Sequence, residues 1–397
     1  DEDSSSRTNR NITMEQQDAA DANFFAEFLR MQGVCAVNPI CEGIFPLGNS
    51  DIAVTRNTDD RSIRNYALFG LYAYDINDAF TITVEGRFQE EKIKQTAVAS
   101  FVGSDDSAIS SASESFDAFL PRVTLDWRLT DNNMLYLLYA EGTKPGGLNG
   151  AAAIEAGLPG FEEEDVSSVE FGSKNVLLGG TMIANFAFYY NEVEGYQLTQ
   201  AVQRVGEVIT ATVNAGDADI YGMEAELQWR PLDELRLTLN YAYNHNEFVR
   251  GVDANQGVLD DVADNGLADC STGDQFPDVP GCTSLYGSIV GNQIPRTAEN
   301  TVFADAEWRT QLGDTDWDWY VGGNYSYESN KWSQVHNLAG TGDTNLVSAR
   351  VGFVNDNWSV QLWGRNLTGE DSSPNVLRYV DASTFYRAFA ISPRRDT

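Results

Sequence analysis

The sequence predicts an all-β fold, the wall of a transmembrane antiparallel up-and-down β-barrel. Three observations favour it. Aromatic residues make up 11% of the 397 residues and 34 residues are Gly, a composition that suits strands and turns. Several segments alternate apolar and polar residues over roughly ten positions, the length of a membrane-spanning strand. Short and long connections also alternate along the chain, as they do in barrels with tight turns at one end.

The clearest alternation runs from Tyr221 to Arg230. Successive side chains of a strand point to opposite faces, so a strand between lipid and water needs one apolar and one polar face. We expect the following side chains to face lipid: Tyr221, Met223, Ala225, Leu227 and Trp229. The intervening residues should face a wet interior: Gly222, Glu224, Glu226, Gln228 and Arg230. After a turn at 231–234 the pattern continues at 235–244, which predicts a hairpin.

The same pattern predicts about twelve strands in all. Clear copies lie at 80–89, 122–129, 182–191 and 358–365. Less regular strands are expected at 64–75, 133–142, 166–178, 301–310, 317–327 and 345–354.

The connections between these strands fall into two classes. Tight turns are expected at 76–78, 131–133, 179–180, 231–234, 311–314 and 355–357. Long polar stretches lie at 1–63, 98–117, 143–164, 197–217, 249–294, 331–343 and 368–385. A soluble β-sandwich gives no reason for such regular alternation, whereas periplasmic turns and extracellular loops do. We divide the chain into an extracellular loop region at 1–63, transmembrane strands with their loops at 64–371, and a last loop at 372–397 leading into a missing final strand.

The charge of the chain restricts its partners. It carries 59 acidic and 26 basic residues, a formal net charge of −33, which would repel nucleic acid and anionic membrane surfaces. We therefore expect no nucleic-acid partner. Seven Asp and no Lys or Arg lie between residues 251 and 292, which predicts a solvated acidic loop. No run approaches the roughly 18 apolar residues that a spanning helix needs.

The four cysteines form two local pairs, Cys35 with Cys41 and Cys270 with Cys282. Each pair lies in a long connection rich in turn-forming residues, which indicates two loop disulfides in an oxidising compartment. A metal site is the alternative. It is disfavoured because neither pair has CxxC spacing or a nearby His.

The sequence offers little for catalysis. Its two histidines, His245 and His336, are far apart and neither sits in a recognisable nucleophile context, so we expect no enzyme activity and no catalytic residues. Residues 261–266 resemble a calcium loop, but Ala263 and Thr272 stand where ligands should be, which leaves only an irregular calcium site as an alternative. No metal site and no cofactor are therefore predicted.

Five phrases in the sequence occur in the order found in TonB-dependent outer-membrane receptors. They are YALFGLYAYD with TITVEGRFQEE (66–75 and 81–91), LYAEGTKPGGLNG (138–150), VEFGSKN (169–175), NAGDADIYGMEAELQWRP (214–231) and LWGRNLTGED (362–371). The chain thus resembles the C-terminal part of such a receptor's barrel. The resemblance implies a barrel of roughly 22 strands, in which the predicted ones would be about strands ten to twenty-one.

The family resemblance also implies partners and a location. Its members hold an N-terminal plug domain inside the barrel and, through a segment before it, contact the periplasmic energy-coupling protein TonB. Neither segment is visible here, and the sequence stops where the family's final strand would begin, so we expect a chain cut at both ends. The implied setting is the outer membrane of a Gram-negative bacterium, with lipid around the barrel and extracellular loops.

The implied function is import of a scarce small-molecule ligand, with iron–siderophore complexes as the default cargo. Cobalamin, haem, other chelates and oligosaccharides remain open, and no ligand-binding residue can be assigned. Charged residues of the interior face should bond to the plug or to one another. They are Arg87, Arg122, Arg128, Arg236, Arg365, Glu85, Glu170, Glu224 and Glu226. A passive porin without a plug, and a structural or adhesive surface protein, are the alternatives.

The cysteine pattern yields a direct prediction. Cys35–Cys41 and Cys270–Cys282 should be disulfides on the extracellular side, because each pair is local and lies in a long connection. Peptide mass spectrometry of the unreduced protein should find both bridges. Free thiols, or a bridge joining the two segments, would contradict the prediction.

Overall fold

The computed structural model describes residues 4–8, 55–101, 107–150, 153–154, 157–204, 207–253, 256, 287–373, 375–379 and 387–391. Most of these residues form β-strands. The strands are β1 Ser4–Thr8, β2 Thr55–Asp75, β3 Phe80–Phe101, β4 Ser107–Thr130, β5 Asn133–Lys144, β6 Gly147–Leu148, β7 Gly160–Phe161, β8 Glu164–Leu177, β9 Met182–Arg204, β10 Glu207–Leu232, β11 Leu235–Gly251, β12 Asn300–Gln311, β13 Asp318–Glu328, β14 Thr344–Val354, β15 Ser359–Gly364, β16 Asn375–Tyr379 and β17 Arg387–Ile391. Across these residues no helix is both long and apolar enough to cross a membrane.

The strands form one large antiparallel sheet with an up-and-down order. Its order is β1-β2-β3-β4-β5-β8-β9-β10-β11-β12-β13-β14-β15, while β6–β7 and β16–β17 form separate pairs. After the short β1, the sheet contains the twelve predicted strands in sequence order. The predicted fold class is therefore confirmed.

The described chain divides into two compact units. The first comprises residues 1–66, 91–116 and 147–159, and the second comprises 67–90, 117–146 and 160–397. The second unit contains the polar and apolar faces on which the candidate site depends.

The register of β10 confirms the predicted faces. Leu227 lies opposite Ala184 of β9 and Leu239 of β11, while Glu226 lies opposite Asn185 and Asn240. Directly opposed residues share a face, so the apolar and polar sets separate as predicted. The apolar face is broad and open: Phe188 is 52% exposed and Phe171 47%. An exposed apolar surface of this breadth suits contact with lipid.

The six predicted tight turns all join consecutive strands at one end of the sheet, which we call the turn end. The opposite end, the loop end, differs from expectation at two places. Residues 98–101 and 107–117 continue β3 and β4, and residues 197–204 and 207–217 continue β9 and β10, although both stretches were predicted as loops. Beyond the lipid a ladder no longer needs one face against hydrocarbon, so its backbone hydrogen bonds persist while the alternation of apolar and polar residues disappears.

The two faces of β10 lead to a matched test. Leu227→Arg should destabilise the folded full-length barrel by roughly 2–4 kcal/mol because it puts a charge against lipid near the middle of the alternating segment 221–230. Gln228→Arg, one residue along on the polar face, should have a small effect. Urea titration of folded barrel in lipid vesicles, followed by heat-modifiable gel mobility, measures both. Equal losses for the two variants would contradict the assignment of faces.

Candidate functional site

The polar face of the second unit carries three carboxylates close together, Glu170 of β8 and Glu224 and Glu226 of β10, which we call the acidic patch. They line a depression of about 530 Å³. The space exists because small Ala187 of β9 lies directly opposite Glu224, between the two acidic strands. Among the lining residues the only cation is Lys174. The depression therefore carries a net negative charge.

Hydrogen bonds satisfy the acidic patch only in part. Glu170 accepts a hydrogen bond from the Tyr136 hydroxyl at 2.6 Å. Glu226 accepts hydrogen bonds from the side-chain amides of Asn185 at 3.1 Å and Gln228 at 2.9 Å. Within the described parts of the chain, Glu224 has no hydrogen-bond donor. A partly satisfied group of carboxylates attracts cationic groups.

Long side chains of the polar face lie flat across glycines of the neighbouring strand. Three tyrosines do so, each over the glycine directly opposite in the ladder: Tyr136 over Gly172, Tyr189 over Gly222 and Tyr320 over Gly352. A Cβ at these glycines would lie 2.2, 2.6 and 2.5 Å from the tyrosine side chain, closer than atoms can approach. A Cβ at Gly172 or Gly352 would therefore clash with the ring that covers it, and one at Gly222 would clash with the backbone carbonyl oxygen of Tyr243 as well.

Arg350 of β14 uses a glycine in the same way. Its guanidinium crosses Gly322 of β13, where a Cβ would lie 3.0 Å away, and reaches β12. There it donates two hydrogen bonds to Asp305, at 2.8 and 3.0 Å, and two to Glu307, at 2.8 and 3.1 Å. All three side chains are less than one quarter exposed. Unlike the acidic patch, this part of the face neutralises its own charges.

At the loop end, two loops fold over the polar face of the second unit. The first contains residues 287–299, before β12, and the second contains residues 329–343, between β13 and β14. Val193, Ala218 and Phe248 lie opposite one another on β9, β10 and β11 and are buried beneath loop residues. The covering residues are Ile289, Ile294 and Val335. Asn246 of β11 accepts a 2.7 Å hydrogen bond from the backbone N–H of Ile294, which anchors the first loop.

Further contacts fix the folded loops. His336 Nε2 and Asp253 Oδ1 are 2.7 Å apart, and both side chains are 1% exposed. This pair joins the second loop to the end of β11. The ring of Tyr196 packs edge-on against Phe248, with centroids 5.2 Å apart, and burial raises the pKa of its hydroxyl. The loops are thus held by a core of their own.

A buried glutamine holds the chain where β5 ends. Gln197 Nε2 donates to the carbonyl oxygens of Lys144 at 3.2 Å, Pro145 at 3.0 Å and Glu162 at 3.0 Å. In the first unit, Leu148 packs with Ile93 and Phe116 in a second buried cluster. In the first unit the buried residue from the connection between β5 and β8 thus lies in the short strand β6.

The structure places only some of the residues singled out in the sequence. Cys35, Cys41, Cys270 and Cys282, and the acidic segment 261–266, lie outside the described residues. His245 lies on the apolar face, with its ring 4.7 Å from that of Tyr221. The expected self-pairing of polar-face charges occurs at Arg122, which is 3.7 Å from Glu85. Where the chain is described, no group of three or more His, Cys, Asp and Glu side chains could hold a metal ion.

Sequence reasoning missed the glycine positions and the Arg350 cluster. The alternation in β14 was too irregular to assign Arg350 to a face. The available signal was glycine in mid-strand at a polar-face position, as at Gly172 and Gly222.

A meandering antiparallel sheet with one apolar face, one charged face and loops folded over the charged face is the architecture of a transmembrane β-barrel wall. The chain belongs to the TonB-dependent receptor family, because the family model described as TonB dependent receptor-like, beta-barrel matches residues 13–367. The family resemblance drawn from the sequence is therefore confirmed.

Solved structures of three receptors share this fold. The chain is 17% identical to the ferric yersiniabactin uptake receptor FyuA of Yersinia pestis (TM-score 0.65), with 85% of this chain and 45% of that chain covered. The siderophore receptor PiuA of Acinetobacter baumannii is 16% identical to the chain, with a TM-score of 0.61 and coverage of 84% of this chain and 42% of that chain. The ferric-catecholate import receptor Fiu of E. coli K12 is 15% identical to the chain, with a TM-score of 0.58 and coverage of 84% of this chain and 44% of that chain. The chain spans less than half the length of each.

The Arg350 cluster gives a second test. Arg350→Ala should lower the free energy of unfolding by about 2 kcal/mol because it leaves Asp305 and Glu307 unpaired in a partly buried position. Arg309→Ala is the control. Its pair with Asp318 is 2.9 Å long but exposed, with side chains 51% and 40% accessible, so the loss should stay within about 0.5 kcal/mol. Urea unfolding of the full-length barrel compares them. A loss for Arg350→Ala no larger than the control's would be the contrary result.

Proposed function

We propose that this chain is the barrel wall of a receptor that imports a scarce small-molecule ligand across the outer membrane. The proposed cargo is an iron–siderophore complex or similar chelate, and the energy comes from the inner membrane through TonB. Membership in the TonB-dependent receptor family supports this proposal. The described relatives take up ferric complexes or siderophores, but at such low identity they share only the fold, so the cargo class is part of the proposal.

The observation that carries the proposal is the acidic patch on the polar face. Three carboxylates share the depression with one lysine, and Glu224 has no donor within the described residues. Such a surface attracts positive charge, since three carboxylates lie together beside a single ammonium group. A plug domain with cationic side chains supplies that charge. The Arg350 cluster, by contrast, needs no partner.

The rim contacts fit the same proposal. Loops held on the polar face by Asn246 and by the His336–Asp253 pair narrow the route along that face. In the proposed orientation the loop end is extracellular and the turn end periplasmic, so these loops meet the ligand first. The chain performs no chemistry on its cargo and acts as a receptor and not as an enzyme.

Energy-dependent uptake is the prediction that tests the function. Cells carrying the full-length receptor should accumulate radioactive iron supplied with one of a panel of hydroxamate, catecholate and carboxylate siderophores. The accumulation should fall to the level of a strain lacking the gene when an uncoupler collapses the inner-membrane proton gradient, because TonB draws on that gradient. Filter-retained radioactivity measures both.

Two controls separate the alternatives. Asp318→Asn removes a carboxylate at the turn end, far along the strands from the acidic patch, and should leave uptake unchanged. Uptake that persists after uncoupling would show passive diffusion and favour a porin. No uptake of any complex, together with retention of cells on a surface or partner, would favour an adhesive protein.

A further inference from the structure

We infer that Tyr136 is a positioning residue that keeps Glu170 available to bind a cationic side chain of the plug. The inference rests on the proposed function, which assigns the acidic patch to the plug. It adds which residue of the wall holds Glu170 in position for the contact with the plug. The observations that carry it are the joint between Tyr136 and Gly172 and the surroundings of the Tyr136 hydroxyl.

The joint fixes the ring. Tyr136 and Gly172 are directly opposite in the ladder between β5 and β8. A Cβ at Gly172 would lie 2.2–2.4 Å from three ring and hydroxyl atoms, so the ring rests on the glycine backbone. A side chain clamped in this way loses little further entropy when its hydroxyl makes a hydrogen bond.

The clamped hydroxyl holds one oxygen of Glu170. The hydrogen bond is 2.6 Å long, short enough for a strong bond to an ionised acceptor. The other oxygen, Oε2, has no donor among the residues that the structure describes. Glu170 is thereby fixed by one oxygen and open at the other, the arrangement that a guanidinium or ammonium group requires.

The same ring separates Glu170 from the one cation of the depression. Residues 170, 172 and 174 point to the same face of β8, so the ring over Gly172 lies between Glu170 and Lys174. The Lys174 ammonium is 5.5 Å from the ring centroid, a cation–π distance, and no salt bridge joins it to Glu170 within the described chain. Tyr136 therefore prevents Lys174 from neutralising the carboxylate.

Another tyrosine supplies an internal comparison. Tyr320 covers Gly352 with the same geometry, and a Cβ there would lie 2.5 Å from its ring. Within the described chain, however, its hydroxyl has no hydrogen-bond partner. Tyr320 thus shares the packing role of Tyr136 but has no carboxylate to position.

The test is a double-mutant cycle on the purified full-length receptor. Tyr136→Phe keeps the ring on Gly172 and removes only the hydroxyl, so the barrel should fold. Protease sensitivity of the plug is measured against urea while heat-modifiable mobility reports an intact barrel. Glu170→Gln should shift the plug-opening equilibrium, and Tyr136→Phe should shift it by roughly fivefold to tenfold, the size of one typical hydrogen bond in a water-accessible setting.

The test depends on whether the effects of Tyr136→Phe and Glu170→Gln on plug opening add in the double variant. Because Tyr136 acts through Glu170, the double variant should open no more readily than Glu170→Gln alone. Tyr320→Phe should leave opening unchanged, alone and in the Glu170→Gln background.

Additive effects of Tyr136→Phe and Glu170→Gln, or equal effects of Tyr136→Phe and Tyr320→Phe, would overturn the positioning role and leave the proposed function standing. If Glu170→Gln and Tyr136→Phe both leave plug opening unchanged while uptake stays energy-dependent, the positioning role and the assignment of this patch to the plug fall together. Loss of energy dependence in the unaltered receptor would instead reject the proposed function.

Discussion

Every other feature of this molecule depends on the need to satisfy backbone hydrogen bonds without water. In lipid an unpaired N–H or C=O costs several kcal/mol, so each strand must be fully paired with its neighbours. The sheet order, with each long strand beside the next one in sequence, meets that need with tight turns at one end. Antiparallel pairing then fixes which residues oppose one another, and through them the two faces. In the described sheet β1 and β15 each have one neighbour, so backbone groups along their outer edges are not paired by another described strand.

The sequence alone predicts those parts of the fold in which contact with lipid determines the order of apolar and polar residues. In β10 lipid touches one face, which is why Tyr221 to Arg230 alternates so clearly and gives both the strand and its orientation. Above the lipid that constraint ends. The continuation of β9 and β10 through residues 197–204 and 207–217 is a paired ladder with two register shifts, yet its sequence does not alternate and is predicted as a polar loop. The folded loops were hidden for a related reason, since Phe248 is an apolar residue at a polar-face position, covered by residues more than forty positions away.

The candidate site also has one part that the sequence predicts and one part that it does not. That Glu170, Glu224 and Glu226 face inward follows from the alternation of their own strands. That Tyr136 crosses Gly172, or that Arg350 crosses Gly322 to reach Asp305, depends on the register between strands, which a single sequence does not show. Glycine is the one local trace of these joints. Its presence in mid-strand is costly for a ladder, so a close contact must compensate for the missing side chain.

The polar face therefore uses charge in two ways, and the difference fits the receptor proposed above. Arg350 makes four hydrogen bonds to two carboxylates in a partly buried setting and ties three strands into a fixed wall. The acidic patch lines an open depression, where each contact with a partner is screened by water and contributes about 1 kcal/mol or less. In the receptor proposed above, a few such contacts made together would hold the plug. Because each contact would be weak, they could be broken one after another without disturbing the wall. A fixed wall and a releasable surface can thus lie on the same face, provided that every strong pair is completed within the barrel and every weak one is left for the partner.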